Sequence, residues 1–396
     1  MTAPTPTRSA VLMVTGAYFP ELSGGGLQAQ TMTRALRQWL NFEVFTTCTD
    51  RSLPHHQFVE GTRVTRVYVD VGRPFTKITA AARTVWFFLA RSRSFDVVHL
   101  HGFSQKSILI VLLARLVGKP VIITIHTAGH DEPEGVRRLG RLAYWCYSRA
   151  DLYLAISEAM ADHYRSAGLP PDRLRVLPNG VDVERFRPAE GDQRDHACRS
   201  LGLDPALRWV AFVGFFSREK HPDLLFEAWL ALPAALRERT GLVFAGATES
   251  KYHEVDPLLA QSIRDQAARL GIADRIRLLG PVADVEQVYR AADVLAMPST
   301  REAFGMVLVE AMAAGLPVIA TRIDRVTDTI VEDGVTGLLV PPRDATALAA
   351  ALEHLLSAPA QAADMGARAR QTVAARYGLE ASASRWRQIY NEAVHS

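Results

Sequence analysis

Two glutamates eight residues apart, Glu302 and Glu310, are the pair around which chemistry can be built. They lie in the segment 298–317, PSTREAFGMVLVEAMAAGLP. A short apolar strand, 294–297, runs into Pro298, and a loop carrying Gly305 follows. A helix is expected from about Met306 to Ala314, ended by Gly315 with Pro317 just beyond. A helix start presents unpaired amide N–H groups and the positive end of its dipole, which suits a pyrophosphate. Glu302 precedes that helix. Glu310 sits inside it among Met, Val, Leu and Ala, where a carboxylate is costly unless it accepts hydrogen bonds. A ribose diol supplies such donors. The plain alternatives are a structural acid for Glu310 and a solvated loop acid for Glu302.

Cations and imidazoles fall at comparable places. Gly214 follows the apolar run 209–213, and Arg218 and Lys220 come shortly after it. They either clamp a phosphate or decorate a solvated turn. His126 ends the apolar run 121–125 and precedes Gly129, His130 and Asp131. A strand's carboxyl end is where a cleft residue belongs. His101 follows the run 96–100 and either lines a substrate or packs. Residues 23–26, Ser-Gly-Gly-Gly, read as a glycine-rich loop.

Several chemistries are missing. No G-x-x-x-x-G-K-[ST] occurs, so a P-loop hydrolase is excluded, and no G-x-G-x-x-G follows the first strand, which argues against a dinucleotide oxidoreductase. No G-x-S-x-G nucleophile elbow occurs. No D-x-D tripeptide occurs, and the nearest forms, 182–184 and 284–286, fall in loops. A helix start with Lys220 and Arg218 can neutralise a diphosphate without magnesium. Neither a metal nor a bound cofactor is therefore expected.

The elements that position these groups alternate. Strand-like runs at 10–15, 43–47, 64–69, 96–100, 120–125 and 152–156 have helical stretches between most of them. The pattern stops at 176–188, where two prolines and Asn-Gly make a linker, and restarts at 209–213. Further runs follow at 242–245, 276–279, 294–297, 317–320 and 337–340. Such alternation means parallel sheets with helices on both faces. The expected fold is α/β, with two doubly wound, Rossmann-like domains facing across a cleft. We expect boundaries at 1–188 and 189–376, with 377–396 an amphipathic helix, Trp386 and Tyr390 four apart, that packs against a domain. Ligands of open parallel sheets bind beyond the strands' carboxyl ends.

Composition sets the frame. The 396 residues carry 45 Lys+Arg against 42 Asp+Glu and are 48% hydrophobic, as in a globular chain of two or three domains. Cys48, Cys146 and Cys198 lie far apart, which excludes a disulfide scaffold and a thiolate zinc site and fits a reducing cytoplasm. The apolar runs at 11–14 and 108–114 are too short for a signal peptide or a membrane span. Residues 1–185 carry 22 Lys+Arg and 15 Asp+Glu, a net +7; the rest carry 23 and 27, a net −4. A basic first half favours an anionic partner. Arg83, Arg91 and Arg93 surround the apolar 85–90 run, and Arg137, Arg138 and Arg141 precede Tyr144 and Trp145. These read either as peripheral contacts with an anionic bilayer or as core helices with basic ends. No nucleic-acid-binding module stands out, so no nucleic-acid partner is expected.

The 298–318 segment resembles the E-x7-E motif of retaining glycosyltransferases of the GT-B fold, in particular glycosyltransferase family four (glycosyl transferases group 1). That family reads Pro-Ser-x-x-Glu-Gly-Phe-Gly, four residues, then Glu-Ala-Met-Ala-x-Gly-x-Pro-Val, and this chain departs only at Ala303. The triplet at 24–26 resembles its N-terminal glycine loop, and His99-Leu-His-Gly102 its His-x-His-Gly segment. His126 is placed like its active-site histidine. Residues 155–158 and 178–182 match the segments leading into the linker. The resemblance spans essentially the whole chain, most strongly 176–345.

The resemblance implies that the 377–396 helix packs on the first domain, and that the second domain holds a nucleotide-diphosphate sugar as co-substrate. Glu302 would contact the sugar hydroxyls and Glu310 the ribose. Phe304, Gly305, Met306 and Val307 would offer backbone to sugar and pyrophosphate, and Val282 would read the base edge. Gly25, Gly26, Gly214, Arg218 and Lys220 would complete the donor site. His126, Glu302 and Lys220 would be catalytic, with His101 and Asp131 on the acceptor side. Phe215 stands where the family has an arginine, and Arg218 is expected to supply that charge. The implied reaction transfers the sugar to a hydroxyl of a glycan, lipid-linked or small-molecule acceptor, with retention and front-face attack. It would run in the cytoplasm, with possible contact at the inner face of the membrane. The rivals are a nucleotide-sugar epimerase and a non-catalytic scaffold, the latter supported only by Phe215.

Overall fold

The computed structural model describes residues 8–21, 24–70, 72–249 and 255–395. They form two units, Met1–Gly180 with Leu379–Ser396, and Val181–Gly378.

The first unit is built on β1 (Ala10–Thr15), β2 (Asn41–Cys48), β3 (His56–Val59), β4 (Thr62–Tyr68), β5 (Val97–His101), β6 (Val121–Ile125), β7 (Leu152–Ala155) and β8 (Leu174–Val176). Their order is β3-β4-β2-β1-β5-β6-β7-β8. Every pairing is parallel except the β3–β4 edge. β5, β6 and β7 are buried along their whole length, which explains their unbroken apolar runs. The antiparallel β3 and the short β8 are additions to the sequence reading. Three of the four residues of β3 are exposed, so no apolar run marks it. The chain leaves β1 for β2 and β4 on one side and resumes at β5 on the other. The switch point therefore lies between β1 and β5.

One further difference concerns this unit. The glycines at 24–26 open the helix Gly24–Leu36 instead of forming a loop, and Ser23 lies outside the described residues. The C-terminal helix Leu379–His395 belongs to this unit: Trp386 and Tyr390 are buried in its core with Met32 and Leu36. The Tyr390 hydroxyl lies 2.6 Å from His99 Nδ1 and ties the helix to β5.

The second unit repeats the plan with β9 (Arg208–Val213), β10 (Thr240–Ala245), β11 (Ile276–Gly280), β12 (Val294–Met297), β13 (Val318–Thr321) and β14 (Leu338–Val340). The order β11-β10-β9-β12-β13-β14 puts its switch point between β9 and β12. The 181–188 stretch is bonded into this unit. Val181 N donates to Tyr377 O at 2.8 Å, and the Arg370 guanidinium donates to Val183 O and Phe186 O at 3.3 and 3.1 Å. The units therefore part at Gly180 and Val181, ahead of the residue 188 expected from the proline pattern.

At the carboxyl end of β9, Gly214 N donates to Ala245 O, and a Cβ on Gly246 would lie 1.8 Å from Gly214 O. Gly246 also has φ +151°, so only a bare backbone fits there. Gly246→Ala should destabilise the second unit by about 2–4 kcal/mol in denaturant unfolding. An unchanged midpoint would contradict this close packing.

Candidate active site

Hydrogen-bonded neighbours β9 and β12 run parallel, and the loops that leave them diverge at their carboxyl ends. From β9 the chain passes through 214–221 into the helix Pro222–Leu230. From β12 it passes through 298–305 into the helix Met306–Ala313. The loops are tied to each other. Thr300 N donates to Glu219 O at 2.8 Å, Arg301 pairs with Glu219 at 2.9 Å, and Lys220 Nζ lies 2.6 Å from Glu302 Oε1. The Lys220 and Glu302 side chains are 26% and 13% exposed, so the pair is shielded yet reachable.

Gly305 precedes its helix with φ +102° and ψ 54°, a left-handed conformation that favours glycine. It turns the chain so that the first amides of the helix point away from the helix body. Met306 and Val307 form that first turn and are partly buried. Phe304 is buried with its ring 5.6 Å from that of Tyr377, which anchors the loop.

Glu310 lies further along the same helix. Tyr289 donates its hydroxyl to Glu310 Oε2 at 2.8 Å. Burial pushes the Glu310 carboxyl up to about 7, against the Tyr289 hydrogen bond and the Arg185 guanidinium, which favour the ionised form. Arg185 is itself held by Glu286 at 2.9 Å. Tyr289 and Arg185 were not found from the sequence. Tyr289 sits in an ordinary short helix, Val285–Ala291, whose pattern carries no hint of the contact.

Arg218 is turned elsewhere. Its Nε lies 3.0 Å from Asp256 Oδ2, and its side chain is 82% exposed. Asp256 caps the helix Pro257–Arg269 by accepting from Leu258 N at 3.1 Å. The Arg218 pairing holds that carboxyl below the usual carboxylate range. The structure thus brings Lys220, but not Arg218, to Glu302. Phe215 is partly buried beside Gly214, and Val282 is partly buried just past β11.

In the first unit, His101 closes β5 and His126 follows β6. Their rings stack at 4.6 Å and 29°. His126 lies against glycine backbone on two sides. A Cβ on Gly25 would sit 2.7 Å from His126 Cε1, and one on Gly102 would sit 2.9 Å from its Nε2. Gly26 occupies the same helical turn as Gly25. His126 Nδ1 lies 3.0 Å from Thr127 Oγ1, and its side chain is 17% exposed.

Asp131 is buried and accepts from three amides: Phe103 N at 2.9 Å, Thr127 N at 2.9 Å and His126 N at 3.3 Å. It brackets the ends of β5 and β6. His101 is buried, and neither ring nitrogen has a hydrogen-bond partner. Burial, then the neighbouring His126 and His99, keep its pKa well below that of a free imidazole, so it is neutral. His99 is lowered to about 3, first by burial, and is satisfied by Tyr390 and Thr124. Among the described residues, no group of three or more His, Cys, Asp or Glu is placed to hold a metal ion.

Residues 22–185 match the family model for Glycosyltransferase Family 4, and residues 194–372 that for Glycosyl transferases group 1. A D-inositol 3-phosphate glycosyltransferase of Actinosynnema mirum is 34% identical over 359 residues, spanning 83% of this chain and 82% of that protein. One of Saccharomonospora viridis is 31% identical, with 98% and 95% covered. Among solved structures, HepE of Anabaena in complex with UDP-glucose aligns with a TM-score of 0.78 at 20% identity, covering 97% of this chain and 99% of that one. Sucrose-phosphate synthase of Thermosynechococcus elongatus aligns with 0.78 at 23%, again covering 97% and 99%. At such identities the structural likeness shows the fold.

Burial keeps the Glu310 carboxyl protonated above the usual carboxylate range. The folded protein holds this proton up to about pH 7, whereas an unfolded glutamate releases it near 4.5. Folded protein thus binds more protons in that window, and stability falls as pH rises from about 4.5 to 7. The Glu310 contribution is on the order of 3 kcal/mol across it. Glu310→Gln should flatten this slope in urea titrations of the ligand-free protein; an unchanged slope would contradict the assignment.

Proposed function

The chain belongs to glycosyltransferase family four and is a glycosyltransferase of the GT-B fold, and from that premise we propose that it moves a sugar from a nucleoside-diphosphate donor to an acceptor hydroxyl, with retention of configuration and without a metal ion. The observation that carries this reading is the Lys220–Glu302 pair at the β9–β12 switch point, beside a glycine-turned helix start.

The diphosphate takes the Lys220 ammonium and the first amides of the Met306 helix, both preorganised before it arrives. Gly214 and Gly305 let it approach bare backbone. Glu302, relieved of Lys220 by the incoming phosphates, accepts from the sugar hydroxyls. Glu310 accepts from the ribose diol, which favours its ionised form. Val282 meets the base through its backbone. Arg218 exchanges Asp256 for a phosphate and replaces the arginine absent at Phe215. In the first unit, His126 is the partly exposed ring assigned to a sugar hydroxyl. Gly25 and Gly26 admit it, and Asp131 acts as a positioning residue. The neutral, unpartnered His101 is assigned to the acceptor.

In transfer, the bond from the anomeric carbon to the departing phosphate oxygen breaks. The bond to the acceptor oxygen forms on the same face, and the acceptor's proton passes to that phosphate. The protein contributes positioning and charge stabilisation. HepE is described bound to UDP and UDP-glucose, which supports a nucleotide-sugar donor here. Acceptors to screen are glycans, lipid-linked sugars and D-inositol 3-phosphate, for which the relatives are named. A cytoplasmic site with peripheral contact at the inner membrane face completes the proposal.

Lys220→Ala should weaken nucleoside-diphosphate binding by tenfold or more, about 1.4 kcal/mol or more, in calorimetry. Glu310→Gln should weaken nucleoside diphosphates but leave bare pyrophosphate unchanged. EDTA should alter neither binding nor turnover, and the product's anomeric proton should show retention by NMR. Inversion, or loss of turnover with EDTA, would overturn the mechanism. Arg218→Ala tests the replacement separately: an unchanged affinity would leave Lys220 as the cation of the site.

A further inference from the structure

The helix Pro74–Arg91 is apolar on the wrong side. Its inner face is Thr76, Ala80, Thr84, Phe87 and Phe88, with the Phe87 ring 4.8 Å from Phe45 of β2. Its outer face carries Phe75, Ile78, Trp86 and Leu89, which are 72%, 66%, 68% and 59% exposed. Their spacing, with the exposed Ala82 between, follows the helical repeat and forms one stripe opposite the packed face. The helix Gln105–Leu116 packs beside it and also exposes Leu112 and Leu116, at 39% and 75%. An exposed apolar surface of this extent marks an interaction site.

Charge selects the occupant. Between Asp70 and Asp96 the sequence holds five cations and no carboxylate. Arg73 pairs with Asp70 at 3.3 Å and Arg91 with Glu43 at 2.7 Å, while Arg83 stands exposed next to Ala82 of the stripe and Lys77 and Arg93 are exposed near the two ends of the helix. A second copy seated here would bring like charges together. An anionic bilayer complements both features: the apolar side chains enter the acyl boundary, Trp86 sits at headgroup depth, and the cations meet lipid phosphates. We propose that the outer face of the Pro74–Arg91 helix docks the protein in-plane on a membrane rich in anionic lipid. This deepens the membrane contact proposed above, naming its helix and its lipid chemistry, and is independent of the donor assignment.

The test is flotation with vesicles of phosphatidylcholine alone or mixed with phosphatidylglycerol. The wild type should float with the mixed vesicles and detach in high salt. Trp86→Ser with Leu89→Ser, both on solvent-exposed positions, should lower partitioning about tenfold or more, and Lys77→Ser with Arg83→Ser several-fold. Nucleoside-diphosphate thermal shifts report the donor site separately and should match the wild type in every variant. A wild type that ignores phosphatidylglycerol, or variants that float equally well, would overturn the proposal. So would a wild-type dimer that the Trp86 and Leu89 changes convert to monomer without altering flotation, since the occupant would then be a second copy. Normal flotation without any nucleotide response would sustain this inference and sink the donor reading.

Discussion

A single 2.6 Å ion pair, between Lys220 and Glu302, joins the two loops that diverge above β9 and β12. Strand geometry forces those loops apart, because successive crossovers leave the sheet in opposite directions at that point. Something must hold them at fixed separation if they are to present one surface. The backbone bond from Thr300 to Glu219 sets the spacing, and the ion pair places a cation beside the start of the Met306 helix. Removing one partner from a shielded pair leaves the other charge uncompensated. An incoming anion does something different: it gives Lys220 a new partner and frees Glu302 to accept hydrogen bonds. The pair is therefore a brace between the two loops, and under the proposed function it is also the contact that a diphosphate would exchange.

The same logic runs through the groups that lack full partners. Glu310 keeps one hydrogen bond and burial pushes it up to about 7, so further hydrogen-bond donors would favour its ionised form. His101 is buried with both nitrogens unsatisfied, and an unsatisfied buried polar group is costly. By contrast His99, equally buried, has both ring nitrogens bonded, one to Tyr390 of the C-terminal helix and one to Thr124 of β6.

The strand pattern and the E-x7-E segment were legible because both are local. Apolar runs report buried parallel strands, and Gly305 with Gly315 punctuates a helix whose ends the sequence marks. The edge strand β3 was not legible, since it is polar and held only by pairing with β4. Nor was the Tyr289–Glu310 bond, which joins residues 21 apart in sequence on two different helices. The Arg218–Asp256 contact was not legible either, because its partner lies 38 residues on and no local pattern marks it. The boundary at Gly180 was obscured because proline and Asn-Gly mark a change of direction, whereas unit membership is decided by bonds to Tyr377 and Arg370.

The most direct measurement is the proton count on nucleoside-diphosphate binding, read by calorimetry near pH 6.5 in buffers of different ionisation enthalpy. If the ribose diol donates to Glu310, the wild type releases more protons than Glu310→Gln does, and the two proteins release the same number when bare pyrophosphate binds. Equal proton release with the nucleotide, or no nucleotide binding at all, would contradict the donor site built on Lys220, Glu302 and Glu310.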